Sequence, residues 1–196
     1  MSFANRASAK VFRDKLEIPV IQGGMGVGIS MGKLAGSVAA CGGMGVISTA
    51  LIGFREEDFY QNHVEADVRA LRKEIQIAKE IANGRGMIAI NAMTVTTDYR
   101  ECIEAAVREG IDAIISGAGL PLALPELVDG KDVLIAPIVS SAKAAALIMR
   151  SWNKKCERKP DFIVVEGSGA GGHLGFKKEE LLEKSYKPLT EIVSDV

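Results

Sequence analysis

Little in this sequence equips it to bind a polyanion, cross a bilayer or staple itself covalently. Charge of one sign is not in excess: 24 Lys and Arg stand against 25 Asp and Glu, a net charge of −1. That balance offers no electrostatic footprint for nucleic acid or an anionic membrane surface. Aromatic residues make up only 5% of the chain, too few for a base-stacking platform. Three cysteines, Cys41, Cys102 and Cys156, are odd in number and far apart. They form neither a disulfide framework nor a CxxC metal motif, and are expected as buried free thiols of a reducing compartment. No apolar run approaches the roughly 20 residues that span a bilayer. Met1 to Lys15 mixes charge with small polar residues and lacks the apolar core of a signal peptide. The expectation is a cytoplasmic protein with no nucleic-acid or membrane partner.

Glycine, by contrast, is abundant, with 21 residues. The glycines cluster after short apolar runs, in Gln22-Gly23-Gly24-Met25-Gly26, in Gly117-Ala118-Gly119 and in Gly167-Ser168-Gly169-Ala170-Gly171-Gly172. A flexible linker would spread them out instead.

Apolar runs alternate with helical patterns along the chain. Pro19–Gln22, Gly45–Ser48, Met87–Asn91, Ala113–Ser116, Val133–Val139 and Asp161–Glu166 read as strands. Met31–Cys41, with Ser30 as N-cap, and Val64–Ala82, closed by Asn83-Gly84, read as helices. So do Thr97–Arg108, Leu122–Val128, Ser141–Trp152 and Pro188–Val196. The strands are apolar on both faces, as in a parallel sheet covered by helices. Strict alternation defines an α/β fold but is common to closed barrels and open doubly wound sheets. Glycine-rich turns after nearly every strand favour the (β/α)₈ barrel, whose site is built from all the βα loops. No linker or charge block divides the chain, so residues 1–196 are expected to form one domain. A complete barrel needs about 250 residues. Six units therefore predict a barrel truncated after about the sixth, without strands seven and eight, and with unpaired edges open to homodimerisation or other association.

His173 is the sharpest candidate for chemistry. It follows the strand ending at Val165 and sits in the last glycine cluster, on the face where parallel α/β proteins place their sites. Glycine lets a ligand approach the backbone, and histidine adds a base that titrates near neutrality. The alternative is a histidine that hydrogen-bonds a structural loop. His63 lies in a polar connection and is read as structural. Gly167, Gly169 and Gly172 formally match GxGxxG, but after the sixth strand and with no βαβ unit beginning there, so a Rossmann fingerprint is not supported. Asn91 ends the third strand with an amide that both donates and accepts, suited to a heterocycle edge or to a turn. Glu166 directly precedes the glycine loop and can accept from a ligand or cap a backbone turn. The two histidines are 110 residues apart without carboxylates at ligand spacing, so no metal site is expected. GxSxG is absent.

Taken together, these segments resemble the nitronate monooxygenase family, also called 2-nitropropane dioxygenases, whose superfamily includes flavin-dependent enoyl-acyl-carrier-protein reductases. The matching stretches are Pro19-Val20-Ile21-Gln22-Gly23-Gly24-Met25, Asn91-Ala92-Met93, Gly117-Ala118-Gly119-Leu120-Pro121, Val139-Ser140-Ser141-Ala142 and Ala170-Gly171-Gly172-His173-Leu174-Gly175. The resemblance implies FMN at the C-terminal mouth of the barrel. It implies that Gly24 and Met25 lie beside the flavin, that Asn91, Glu166, Gly171 and Gly172 contact it, and that His173 is the catalytic base. It also implies that the FMN phosphate is held mainly by loops after the seventh and eighth strands. One position departs from the pattern: Gly169 stands where members often carry Glu.

The function expected is FMN-dependent oxidation of a small-molecule nitronate by dioxygen. Enoyl-thioester reduction with NAD(P)H and FMN is the enzymatic alternative. A non-catalytic half-barrel that binds a partner is the alternative outside enzymology.

Overall fold

The computed structural model describes residue 12 and residues 14–196. Helix α1 (Gly32–Ala40) leads into β1 (Met44–Ser48), α2 (His63–Ala82), β2 (Met87–Met93), α3 (Tyr99–Arg108) and β3 (Ala113–Gly117). Then follow α4 (Leu124–Leu127), β4 (Leu134–Val139), α5 (Ala142–Cys156), β5 (Val164–Val165), α6 (Lys178–Leu182) and α7 (Leu189–Asp195).

The five strands are all parallel and lie in the order β1-β2-β3-β4-β5. Each crossover brings the next strand down beside the last. A doubly wound sheet reverses its order at a switch point; here the order never reverses, and the sheet curls as a half-barrel. Topology thus settles what alternation left open.

Pleating sends successive side chains to opposite faces, and both faces are apolar. On the outer face Ile47, Ile90, Ile114 and Ile135 pack against Leu71, Ile75, Ile103, Ile148 and Trp152 of the helices. On the inner face Met44, Val46, Met87, Ala89, Ala113, Ile115, Leu134 and Ala136 form a second core, joined by Ile138, Phe162 and Val164.

The ends of the sheet depart from the sequence reading. The expected first strand, Pro19–Gln22, joins the sheet only through the Ile21–Met44 bridge. Two backbone bonds hold it, from Gln22 N to Met44 O and from Met44 N to Val20 O, each 2.9 Å. Pro19 has no N–H to donate. The expected sixth strand shrinks to Val164–Val165, which pairs only with β4. Both are edge segments with a partner on one side. Ser30 does not cap α1. Met31 holds that position, and the N-terminal amide of Gly32 is met by Glu74 Oε2 of α2 at 2.7 Å. Helix α6 was not expected. Of the cysteines only Cys102 is buried; Cys41 is exposed and Cys156 intermediate, all three as free thiols. No helix among the described residues is long and apolar enough to cross a membrane.

Candidate active site at the C-terminal end of the sheet

At the C-terminal ends of the strands the inner face turns from apolar to polar. Ser48 and Asn91 are in register across β1 and β2, and both share the inner-face parity of Val46 and Ala89. Asn91 therefore lies on the inner face near the C-terminal end of β2, which runs two residues further than the sequence reading, to Met93. Among the described residues no hydrogen bond uses its side-chain amide, although its backbone oxygen accepts from Thr49 N at 3.0 Å. Gly24 lies directly against it: a Cβ at position 24 would come within 2.5 Å of Asn91 Cβ. Only glycine permits this contact, so the first glycine loop and β2 meet at one point. Met25, beside it, is 46% exposed.

The loop after β5 forms the opposite wall. Glu166 Oε1 accepts from Gly175 N at 2.6 Å, and Ser140 Oγ donates to Gly175 O at 2.6 Å. Two side chains, one from each neighbouring strand end, thus clamp a single residue through its N–H and its C=O and close residues 167–175 into a loop. The turn-capping alternative for Glu166 matches this contact, which occupies one of its two oxygens. Inside the loop, Gly169, Gly171 and Gly172 face open space, and a Cβ on any of them would meet nothing within 4 Å. His173 is exposed at the end of that run.

The third glycine cluster is held from behind. Thr94 Oγ1 donates to Ala118 O at 2.8 Å, and Thr94 N donates to Gly117 O at 2.9 Å. Trp152, fully buried in α5, donates its indole N–H to Pro121 O at 2.9 Å. Sequence reading took Trp152 only as the end of a helix and passed over Thr94. A lone tryptophan in a chain poor in aromatics was the available signal, since a buried indole N–H requires an acceptor.

Behind the β1 and β2 ends lies a buried acidic pair. Asp67 and Asp98 are 2% and 5% exposed. Asp67 Oδ1 accepts from Gly53 N at 2.6 Å, and Cys102 Sγ donates to Asp98 Oδ2 at 3.1 Å. Burial pushes the Asp67 carboxyl up to about 6, and neighbouring Asp98 adds to the shift. Burial also pushes the Cys102 thiol upward, so it stays protonated. His63 opens α2 and hydrogen-bonds Thr97 Oγ1 at 3.0 Å, in keeping with a structural role. Among the described residues no group of His, Cys, Asp or Glu is arranged to hold a metal ion.

The mouth offers an apolar inner face, open glycines at 169, 171 and 172, the Asn91 amide and a histidine at the rim. An α/β half-barrel with this mouth is the class the fold defines. Residues 9–196 match the family described as nitronate monooxygenase, so the chain belongs to the nitronate monooxygenase family. Among solved structures, nitroalkane oxidase from Streptomyces ansochromogenes is similar with a TM-score of 0.72 and 14% identity, covering 94% of this chain and 56% of that one. FabK from Thermotoga maritima is similar with a TM-score of 0.64 and 23% identity, covering 85% of this chain and 46% of that one. The chain thus spans about half the length of the structures it matches. No curated protein sequence matches it.

Proposed function

We propose that this chain forms part of the active site of an FMN-dependent oxidoreductase that oxidises nitronates with dioxygen. The observation that carries the reading is the pairing of two glycine surfaces across one strand-end mouth: Gly24 against Asn91, and the open Gly169–Gly172 run leading to His173. Gly24 and Met25 would lie along the isoalloxazine ring. Asn91 would offer its amide to the ring edge, and Gly171 and Gly172 would bring backbone amides close. Glu166, already holding Gly175, would keep that loop in place and has one oxygen left for the cofactor. FMN, when bound, supplies the two-electron acceptor.

The chain's own residues have three tasks. The inner-face core beneath the mouth, Val46, Ala89 and Ile115, keeps water from the buried side of the ring. The glycine loops fix the ring and leave room for a small anionic substrate. An imidazole nitrogen of His173 would take the acidic α-carbon proton where the substrate arrives as the neutral nitroalkane, giving the nitronate that is then oxidised. The phosphate end of FMN needs donors from loops after further strands, in line with the family pattern. Those loops would come from additional chain or from a partner associating along the open edges.

A second reading, NAD(P)H-linked reduction of an enoyl thioester, draws on Gly169. A Cβ there meets nothing, so the site lacks the carboxylate often found at this position and leaves space for a bulkier acyl group. Oxygen uptake with a nitronate, run beside NADH oxidation with a crotonyl thioester, separates the two. Uptake with nitronate alone supports the first reading; thioester-dependent NADH oxidation overturns it. Purified protein that takes up no flavin and drives neither reaction would point to a non-catalytic binding module.

A further inference from the structure

The sequence drew attention to the glycines after Gln22; the structure reveals two polar side chains that hold them. Gln22 continues the edge pairing with β1 twice over. Its main-chain N–H donates to Met44 O at 2.9 Å, and its side-chain Oε1 accepts from Val46 N at 3.0 Å. The side chain thus takes the ladder position that a further strand residue would have filled. Its Nε2 donates to Ser30 Oγ at 2.8 Å and also reaches Gly23 O.

Ser30 is fully buried and every polar atom on it is used. Its hydroxyl donates to Gly23 O at 3.1 Å and accepts from Met25 N at 2.9 Å. Its main chain donates to Met25 O at 2.9 Å and accepts from Ser48 N at 3.0 Å. The turn from Gly23 to Met25 is therefore sewn to β1 from below. The Met25 amide is committed to Ser30 and is not available to a ligand. What the turn presents to the mouth is Gly24, packed directly on Asn91, and the exposed Met25 side chain.

We infer that Gln22 and Ser30 are positioning residues, which fix the height and tilt of the Gly24–Met25 surface against which the cofactor ring stacks. The inference rests on the flavin reading above. A stacked ring gains its contact only at van der Waals separation, so a turn that shifts by a fraction of an ångström loses it. Buried networks of this kind also act as units: removing one member strands the others' donors and acceptors. Ser30→Ala leaves Met25 N–H without its acceptor and Gln22 Nε2 with Gly23 O alone, yet creates almost no cavity. Gln22→Glu keeps an oxygen for Val46 N–H and loses the donor to Ser30 Oγ and Gly23 O.

The test is an FMN titration of the ¹⁵N-labelled chain, followed by amide shifts, for wild type, Ser30→Ala and Gln22→Glu. Amide shifts report weak binding and show where it occurs. In wild type, FMN is expected to move the amides of Gly24, Met25, Gly171 and Gly172. In Ser30→Ala the affinity should drop roughly tenfold, and the shifts at Gly24 and Met25 should vanish while those at Gly171 and Gly172 persist. Gln22→Glu should show the same pattern more weakly. A merely structural role would lower the melting temperature without redistributing the shifts. Folded Ser30→Ala with wild-type affinity and wild-type shifts overturns the positioning role alone. If Ser30→Ala does not fold, Gln22→Glu decides by the same criterion. If FMN moves no amide at the mouth of the wild-type chain, the flavin reading falls, and this inference falls with it.

Discussion

The two ends of the five-stranded sheet are built on opposite principles. At the N-terminal end, carboxylates bind both a strand amide and a cation. Asp112, ahead of β3, accepts from Ile88 N of β2 at 2.9 Å and pairs with Lys15 at 2.6 Å. Asp161, ahead of β5, accepts from Ile135 N of β4 at 2.8 Å and pairs with Arg158 at 2.8 Å. In both cases an aspartate before one strand anchors the start of the strand beside it. At the C-terminal end, Asn91 has an amide that no described residue engages, and Gly169, Gly171 and Gly172 of the β5 loop face open space. One end pairs its carboxylates across strands, and the other leaves an amide and a glycine run unengaged by the described residues. Polar capacity left unspent at one end of a well-paired sheet is what a ligand site looks like, and in barrels that end carries the chemistry.

If this contrast is right, changes at the two ends should separate function from stability. The largest effect belongs to His173. In the flavin-loaded protein, His173→Ala should lower turnover of the neutral nitroalkane by roughly 10²–10⁴-fold, with FMN affinity and melting temperature unchanged. Turnover close to wild type would remove the histidine from the mechanism.

At the other end Asp161→Ala should do the reverse. The Asp161 side chain is 2% exposed, and its loss strands Ile135 N–H and leaves the Arg158 guanidinium only Val133 O, its Nε being already buried without a partner among the described residues. A cost of about 2–3 kcal/mol in stability is expected, read by urea denaturation, with the FMN-induced amide shifts of the folded protein left in place. A change confined to FMN binding would contradict the division between the ends.

Asp67 sharpens the comparison through pH. Its carboxyl is raised to about 6 in the folded state by burial, against about 3.9 for an unfolded aspartate. The folded protein therefore holds this proton more tightly than the unfolded chain. The resulting stability is fully present below about pH 4 and is lost as pH rises through about 6. Melting curves between these limits should show a decline on the order of 2 kcal/mol, which Asp67→Asn flattens. A wild-type profile flat over that window would show that Asp67 titrates normally.

Asn91→Ala should have the smallest effect, an FMN affinity lowered roughly tenfold with stability unchanged. Destabilisation without any effect on binding would make Asn91 a structural residue.

Most of the architecture was legible because it follows from periodicity. Apolar runs flanked by helical patterns located β1 to β4 within a residue or two, and Asn83, in the left-handed conformation with φ 47°, ends α2 as its sequence indicated. Strand edges were harder to read. Pro19–Gln22 and Asp161–Glu166 have the apolar composition of strands, yet pair on one side only, and composition carries no information about the missing neighbour. Long-range polar contacts were invisible for a related reason. Ser30 before a helix has the local signature of an N-cap, but its hydroxyl is drawn to Gln22, Gly23 and Met25, a fold-level competition that no local window contains. The same holds for Glu74 reaching Gly32, 42 residues away, and for Ser140 and Glu166 meeting on Gly175. The candidate site was legible as a set of loops, through its glycines, because close approach of a ligand restricts residue type directly.

The most direct test of the central claim is where FMN binds on this chain. Titrating ¹⁵N-labelled protein with FMN and mapping the amide shifts requires neither tight binding nor turnover. The account predicts that the shifts gather at Gly24, Met25, Asn91, Gly171, Gly172 and His173, with the N-terminal end around Asp112 and Asp161 unmoved. Shifts gathered at the N-terminal end or on the outer helices, or no shifts at all, would contradict it.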